Sequence, residues 1–287
     1  MIDERKYKKG TRRRERVEIK GNPYNHLMNY PMNEVKEKII YFLYDMRAAK
    51  TSQLARYLGY SSPYIRKILR DLYENRLVYR DFPTISRKKH GSSEGIYFLD
   101  NQGAFFIAAD NGLEKKDVSW DPRDNVVSLG AIKHTLDITE IRTCMEEKSN
   151  DIRIDEFIGE RKHGMITFES QGEEITFNPD SKISLIKKVG DKLARVTFFL
   201  EYDRNTESLR SFLEKIRVYE RFYKSEKFKR LFGSIHPAIL IITNHERRTE
   251  KLKDLVKENK IENIKYYFDT LNEDFRENPF KFLDNQG

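Results

Sequence analysis

The sequence predicts an α/β chain in two parts: a front module of three short helices closed by two β-strands, then a larger domain with a central mixed sheet. Three observations carry this. Apolar residues recur at helical steps from 33 to 76. Beyond 150, apolar runs of strand length alternate with amphipathic helical stretches. Between them, ADNGLEKKDVSWDPRDNVVSL (110–130) is mixed and turn-rich, as a junction between domains should be. At 287 residues the chain is long enough for two cores, and 12% aromatic residues argue against disorder despite 35% charged residues.

In the front module, Val35, Ile39, Phe42, Leu43 and Met46 form the apolar stripe of a first helix, with Asn33 placed as its N-cap. TSQLARYLG is a second, short helix stopped by Gly59. SSPYIRKILRDLYENRL opens a third, with Ser62 as cap and Pro63 at the first helical position. There Ile65, Ile68, Leu69 and Leu72 face inward, and Arg66, Lys67 and Arg70 lie opposite. LVYRDF and IYFL then read as two strands around the basic, glycine-containing loop SRKKHGSSEG. Helix, short helix, tight turn and a helix with a basic outer face is the helix-turn-helix arrangement, and the strands add a wing. A three-helix protein-interaction module would show the same helical pattern.

Charge favours a polyanionic partner. The formal net charge is +8, and residues 1–20 hold nine basic residues against four acids. An arm of this kind, containing Arg12, Arg13 and Arg14, either solubilises the chain or lies along phosphates. The single cysteine, Cys144, allows no internal disulfide and fits a reducing cytoplasm. No apolar run nears 18 residues, so no membrane partner is expected. There is no glycine-rich phosphate loop, no dinucleotide fingerprint and no zinc-like spacing of histidines. LDNQG occurs at 99–103 and again at 283–287, which is too little for a repeat architecture.

From 131 a helix, AIKHTLDITEIRTCMEE, leads to a strand at IRIDEFIG. EEITFNPDSKISLIKK and KLARVTFFLEYD read as paired strands joined at Gly190-Asp191, a favoured two-residue hairpin loop. With Val189 opposite Lys192, Asp180 falls opposite Glu201. Alternate strand residues share a face, so Glu201 and Asp203 point the same way, about 7 Å apart. Three carboxylates would then gather on one face unless a bulge shifts the register. Oxygen ligands of this kind suit Mg²⁺ or Mn²⁺; an exposed, solvated strand end is the other reading. TESLRSFLEKIRVYERFYK follows as a helix burying Leu209, Phe212, Leu213, Ile216 and Tyr223, with Lys215 and Tyr219 one turn apart at the stripe's edge. HPAILIIT, ERRTEKLKDLVKEN and IKYYFDT complete the domain as strand, helix and strand.

The front pattern QLARYLG…SSPYIRKILRDL…LVYR resembles winged-helix DNA-binding domains over roughly 33 to 100. Arg66, Lys67, Arg70, Arg87, Lys88 and Lys89 are the contacts that likeness implies. In the second domain, PD followed about twenty residues later by E-x-D resembles the PD-(D/E)XK restriction-endonuclease-like fold. His134, Pro179-Asp180, Glu201-x-Asp203 with Arg204 and Thr206, and the Lys215-to-Tyr219 step together resemble the replication-relaxation family of plasmid and mobile-element proteins. That family is akin to the restriction-endonuclease-like relaxases of conjugative plasmids.

The resemblance implies a basic arm at 1–32, a winged helix at 33–109, a linker at 110–130 and a nuclease or relaxase domain at 131–287. It implies a DNA-nicking enzyme of a plasmid or integrative element, acting in mobilisation or replication initiation. Asp180, Glu201 and Asp203 would hold Mg²⁺ or Mn²⁺, and Lys215 would stabilise the transition state. The fold's usual lysine, two residues after the glutamate, is replaced here by Asp203, so Lys215 must reach the site from the next helix. Glu140 is a further candidate ligand or an ordinary surface acid, and His134 a proton shuttle or a capped structural histidine. The expected partners are double-stranded DNA and single-stranded DNA at a nick, with the oligomeric state open and a homodimer among the options. A non-catalytic DNA-binding initiator or regulator on a degenerate nuclease fold is the rival reading.

Overall fold

The computed structural model describes residues 16–82, 94–125, 128–149, 151–259 and 264–284. The chain divides into two compact units, Met1–Thr143 and Cys144–Gly287.

The first unit begins with α1 (Pro23–Asn29) and α2 (Glu34–Met46). Asn33 caps α2 by accepting from the Lys36 N–H at 3.0 Å. Strand β1 (Ala48–Lys50) leads into α3 (Thr51–Leu58), which ends at Gly59 in the left-handed conformation (φ 71°). Then comes α4 (Ser62–Glu74), whose N-cap is Ser61 rather than Ser62, with Pro63 in the first turn. Ile65, Ile68, Leu69 and Leu72 are buried, as the stripe requires.

Strands β2 (Val78–Asp81) and β3 (Ile96–Leu99) join β1 in an antiparallel sheet of order β1-β3-β2. The loop residues Arg87, Lys88 and Lys89 and the arm residues Arg12, Arg13 and Arg14 lie outside the described residues. Helix α5 (Asn101–Asp110) starts where the first LDNQG stands. Gly103 is required there, because a Cβ would come within 2.4 Å of the Leu77 carbonyl oxygen and 2.5 Å of Leu99 Cδ1. Helix α6 (Leu129–Glu147) packs Ile132 and Leu136 against Ala48, Ile96 and Phe98 of the small sheet. The division between the units falls within α6, and the stretch 110–130 buries Val118 and Trp120.

The second unit contains β4 (Ile152–Gly159), α7 (Glu160–His163), β5 (Ile166–Ser170), β6 (Glu173–Phe177), β7 (Ser181–Val189) and β8 (Lys192–Asp203). After these come α8 (Leu209–Tyr223), α9 (Glu226–Phe232), β9 (Ala238–Thr243), α10 (Glu246–Glu258), β10 (Tyr266–Thr270) and α11 (Glu273–Glu277). The sheet is mixed, of order β10-β9-β8-β7-β4. Its β8, β9 and β10 run parallel through helical crossovers, and β4, β7 and β8 run antiparallel.

One expected strand divides in two. EEITF belongs to a separate hairpin with β5, and β7 begins only at Ser181. Between them stands Asn178-Pro179-Asp180, where proline has no N–H to offer a central ladder. The main core lies on one sheet face, where Phe199, Ile239 and Ile241 meet Phe212, Ile216, Tyr219 and Phe222 of α8 and Leu252 of α10. Leu209, expected in this core, is 38% exposed at the first turn of α8. Among the described residues, no helix is long and apolar enough to cross a membrane.

Candidate functional site at the end of strand β8

The hairpin sets the site. Gly190 takes φ 61° in the turn, and the pairs run without a shift from Val189↔Lys192 to Ser181↔Leu200. Asp180 comes next, immediately outside the ladder. Its N–H donates to the Leu200 carbonyl at 3.1 Å, and its carboxylate accepts from the Tyr202 N–H at 2.7 Å. Along β8, Phe199, Glu201 and Asp203 alternate onto the face covered by α8 and α10.

Helix α8 brings two polar groups to Glu201. Lys215 Nζ donates to Oε2 at 3.0 Å, and the Tyr219 hydroxyl donates to Oε1 at 2.5 Å. Their four-residue spacing places both on one helical face. Ser208 caps the helix, accepting from the Ser211 N–H at 3.0 Å. Glu201 is 3% exposed, and burial pushes its carboxyl up to about 7; Asp180 pushes the same way, while Lys215 and the Tyr219 hydrogen bond oppose it. Burial alone would lower the Lys215 ammonium's pKa, but Glu201, Asp180 and Glu207 outweigh it and hold the group charged. Tyr219 is fully buried, and burial with the Glu201 charge holds its hydroxyl well above the usual tyrosine range. It therefore acts at this site as a proton-bearing donor, not as a phenolate.

Asp203 meets a different partner. Arg248 of α10 donates to its Oδ2 through Nε at 2.8 Å and Nη2 at 2.5 Å, and the Asn205 N–H donates to Oδ1 at 2.6 Å. Both side chains of the ion pair are buried. Nη2 of Arg248 also donates to the Glu207 carbonyl at 2.8 Å. Arg248 shares its helical stripe with Leu252 and Val256. An arginine at a core position of an amphipathic helix must meet a buried acid, but its position does not say which one, and sequence reasoning did not single out Arg248.

The structure thus brings together Asp180, Glu201 and Lys215, adds Tyr219 and Glu207, and places Asp203 beside them on Arg248. Among the described residues, no group of three or more His, Cys, Asp or Glu side chains is placed to hold a metal ion. A Mg²⁺ ion needs less than that. It is bound through one or two carboxylates, with water and substrate phosphate completing the shell. Asp180 and Glu201 meet this donor count, and both act on the Lys215 ammonium beside them.

In the first unit, Arg66, Lys67 and Arg70 are all exposed on α4. At the start of that helix, Tyr60 and Tyr64 are exposed beside them with ring centroids 5.1 Å apart, a pair that sequence reasoning passed over. Glu140, on α6, is ion-paired with Arg56 at 2.6 Å and accepts from Gln53 Nε2 at 3.1 Å. His134 is half-buried on the same helix. No curated protein and no solved structure matches the chain. The family model described as replication-relaxation does match, over residues 40–236. That span takes in α3 and α4, the β7–β8 hairpin with its carboxylates, and Lys215 with Tyr219, so the chain belongs to the replication-relaxation family.

Proposed function

We propose that this protein binds DNA and nicks it in plasmid replication or mobilisation, using Mg²⁺ or Mn²⁺. In this reading, α3, α4 and the small sheet are a winged helix that docks on duplex DNA, with Arg66, Lys67 and Arg70 toward the phosphates. The second unit is a restriction-endonuclease-like domain that cuts one strand. The observation that carries the reading is the contact of Lys215 with Glu201: α8 supplies the ammonium that the strand lacks at position 203.

Asp180 and Glu201 would hold the cation, which when bound would polarise the scissile phosphate and activate the attacking nucleophile. Lys215, kept charged by three acids, has no lone pair to act as a base. Its role is to offer positive charge to the phosphate oxygen on which charge develops. Tyr219 fixes the rotamer of Glu201 from the buried side.

The test is a supercoiled plasmid carrying the element's own origin, incubated with Mn²⁺. Lys215→Ala should slow nicking by about 10²–10³-fold, as loss of one transition-state donor does. Undiminished nicking by Lys215→Ala refutes the assignment.

A second reading has its own support. Asp203 is committed to Arg248, and both oxygens of Glu201 accept hydrogen bonds within the protein. That is what a non-catalytic DNA-binding initiator or regulator with a degenerate nuclease fold would show. Under it, the wild type binds the origin and leaves it uncut.

A further inference from the structure

Glu207 stands in the loop between β8 and α8. Its Oε2 lies 3.5 Å from Lys215 Nζ, and its Oε1 accepts from the Ser211 hydroxyl at 2.8 Å. Its backbone is fixed as well, since its carbonyl accepts from the same Arg248 nitrogen that holds Asp203. The loop turns at Asn205 (φ 60°), whose N–H donates to Asp203 Oδ1. The buried Asp203–Arg248 pair therefore grips the loop at 205 and again at 207, which sets where Glu207 stands.

Lys215 consequently has two carboxylate acceptors, Glu201 at 3.0 Å and Glu207 at 3.5 Å. They are not equivalent. Glu201 is buried, with Tyr219 on one oxygen and Lys215 on the other, whereas Glu207 is partly open to solvent. A cation that takes up Glu201 must compete with the ammonium for Oε2. A displaced ammonium with no other acceptor would be left partly desolvated and facing a second positive charge. A lysine stem is flexible enough to re-aim its head by a small torsional change.

We propose that Glu207 is the positioning residue for Lys215: it receives the ammonium when a divalent cation takes up Glu201. The inference rests on the cation reading above and gives the E-x-D strand end a division of labour. Glu201 faces the cation, while Asp203, through Arg248, holds the loop whose glutamate parks the lysine. Glu207 is then neither a ligand nor a general source of negative potential.

Mn²⁺ titration of the full-length chain, followed by the electron paramagnetic resonance signal of the free ion, separates these roles. The variants are Glu207→Gln, Lys215→Met and the double change, each checked for folding by circular dichroism, with Lys215→Gln in reserve should Met fail to fold. If Glu207 acts through Lys215, Glu207→Gln weakens Mn²⁺ binding roughly tenfold in the parent but less than about twofold in the Lys215→Met background, because the pair is coupled. The same loss in both backgrounds means that Glu207 acts as a ligand or a bare charge and overturns the inference. No loss in either background overturns it too. Absence of Mn²⁺ binding by the wild type removes the cation reading and this inference with it, whereas tight binding with uncoupled effects removes the inference alone.

Discussion

Replacing Arg248 by Met leaves the Asp203 carboxylate buried with no countercharge. Both side chains of the pair are under 10% exposed, and the guanidinium makes three hydrogen bonds, two to Asp203 and one to the Glu207 carbonyl. Breaking a buried pair by removing one partner costs about 3–5 kcal/mol, because the remaining charge stays desolvated. That is a large share of the 5–15 kcal/mol typical of a folded domain. Removing both charges is milder. Asp203→Asn with Arg248→Met keeps an oxygen to accept the Asn205 N–H and leaves two uncharged groups without their partner, the Glu207 carbonyl and the new amide nitrogen, at about 1–3 kcal/mol each but with no bare charge buried. Urea unfolding reads both variants. Circular dichroism follows the whole chain, and the single tryptophan, Trp120, reports the first unit, so a loss confined to the second unit separates the two signals. A single variant within about 1 kcal/mol of wild type would refute the view that Arg248 is the countercharge the buried Asp203 depends on.

Three further outcomes are expected. In the metal-free protein, Glu201 keeps its proton to about 7 when folded, against an ordinary 4.5. The native state then binds more protons than the unfolded chain between those values, so stability should fall as pH rises from about 4.5 to 7, and the Glu201→Gln variant should lack that slope in pH-dependent unfolding. Changing Arg66, Lys67 and Arg70 together to Ala should weaken duplex binding and lower the slope of log K against log salt by about one for each phosphate no longer neutralised; an unchanged slope in a folded variant excludes α4 from the interface. Gly103→Ala forces a methyl onto the Leu77 carbonyl, and thermal melting should show a loss of about 1–3 kcal/mol.

The β7–β8 register was legible in the sequence because each of its determinants is local: a glycine-first turn, alternating apolar residues and a countable ladder. The stripes of α2 and α4 were legible for the same reason, since burial follows from helical period alone. What escaped depended on partners distant in sequence. EEITF looks continuous with SKISLIKK until the proline between them is allowed to redirect the chain to β5, whose own sequence, ITFES, carries too little pattern to announce a partner. Spacing put Asp203 with the other two acids, and no local rule says that an arginine 45 residues later will claim it. Lys215 was the reverse case. Its reach to Glu201 follows from α8 packing against the strand, which Phe212 and Ile216 of the expected stripe already required, although Tyr219, expected at the stripe's edge, is fully buried.

The nine paired residues between the Gly190-Asp191 turn and Asp180 make the hairpin a ruler, with its zero at the turn and the carboxylates at the far mark. At about 3.4 Å per residue, that mark is some 30 Å from the tip. Extra residues in the turn itself leave every rung in place. One extra residue in either arm moves Asp180 off Glu201's face, or must be absorbed as a bulge. Length is therefore cheap at one end of the hairpin and chemically decisive along its sides. A fluorophore or peptide tag inserted between Gly190 and Asp191 would report on the second unit without changing the distance between its acids.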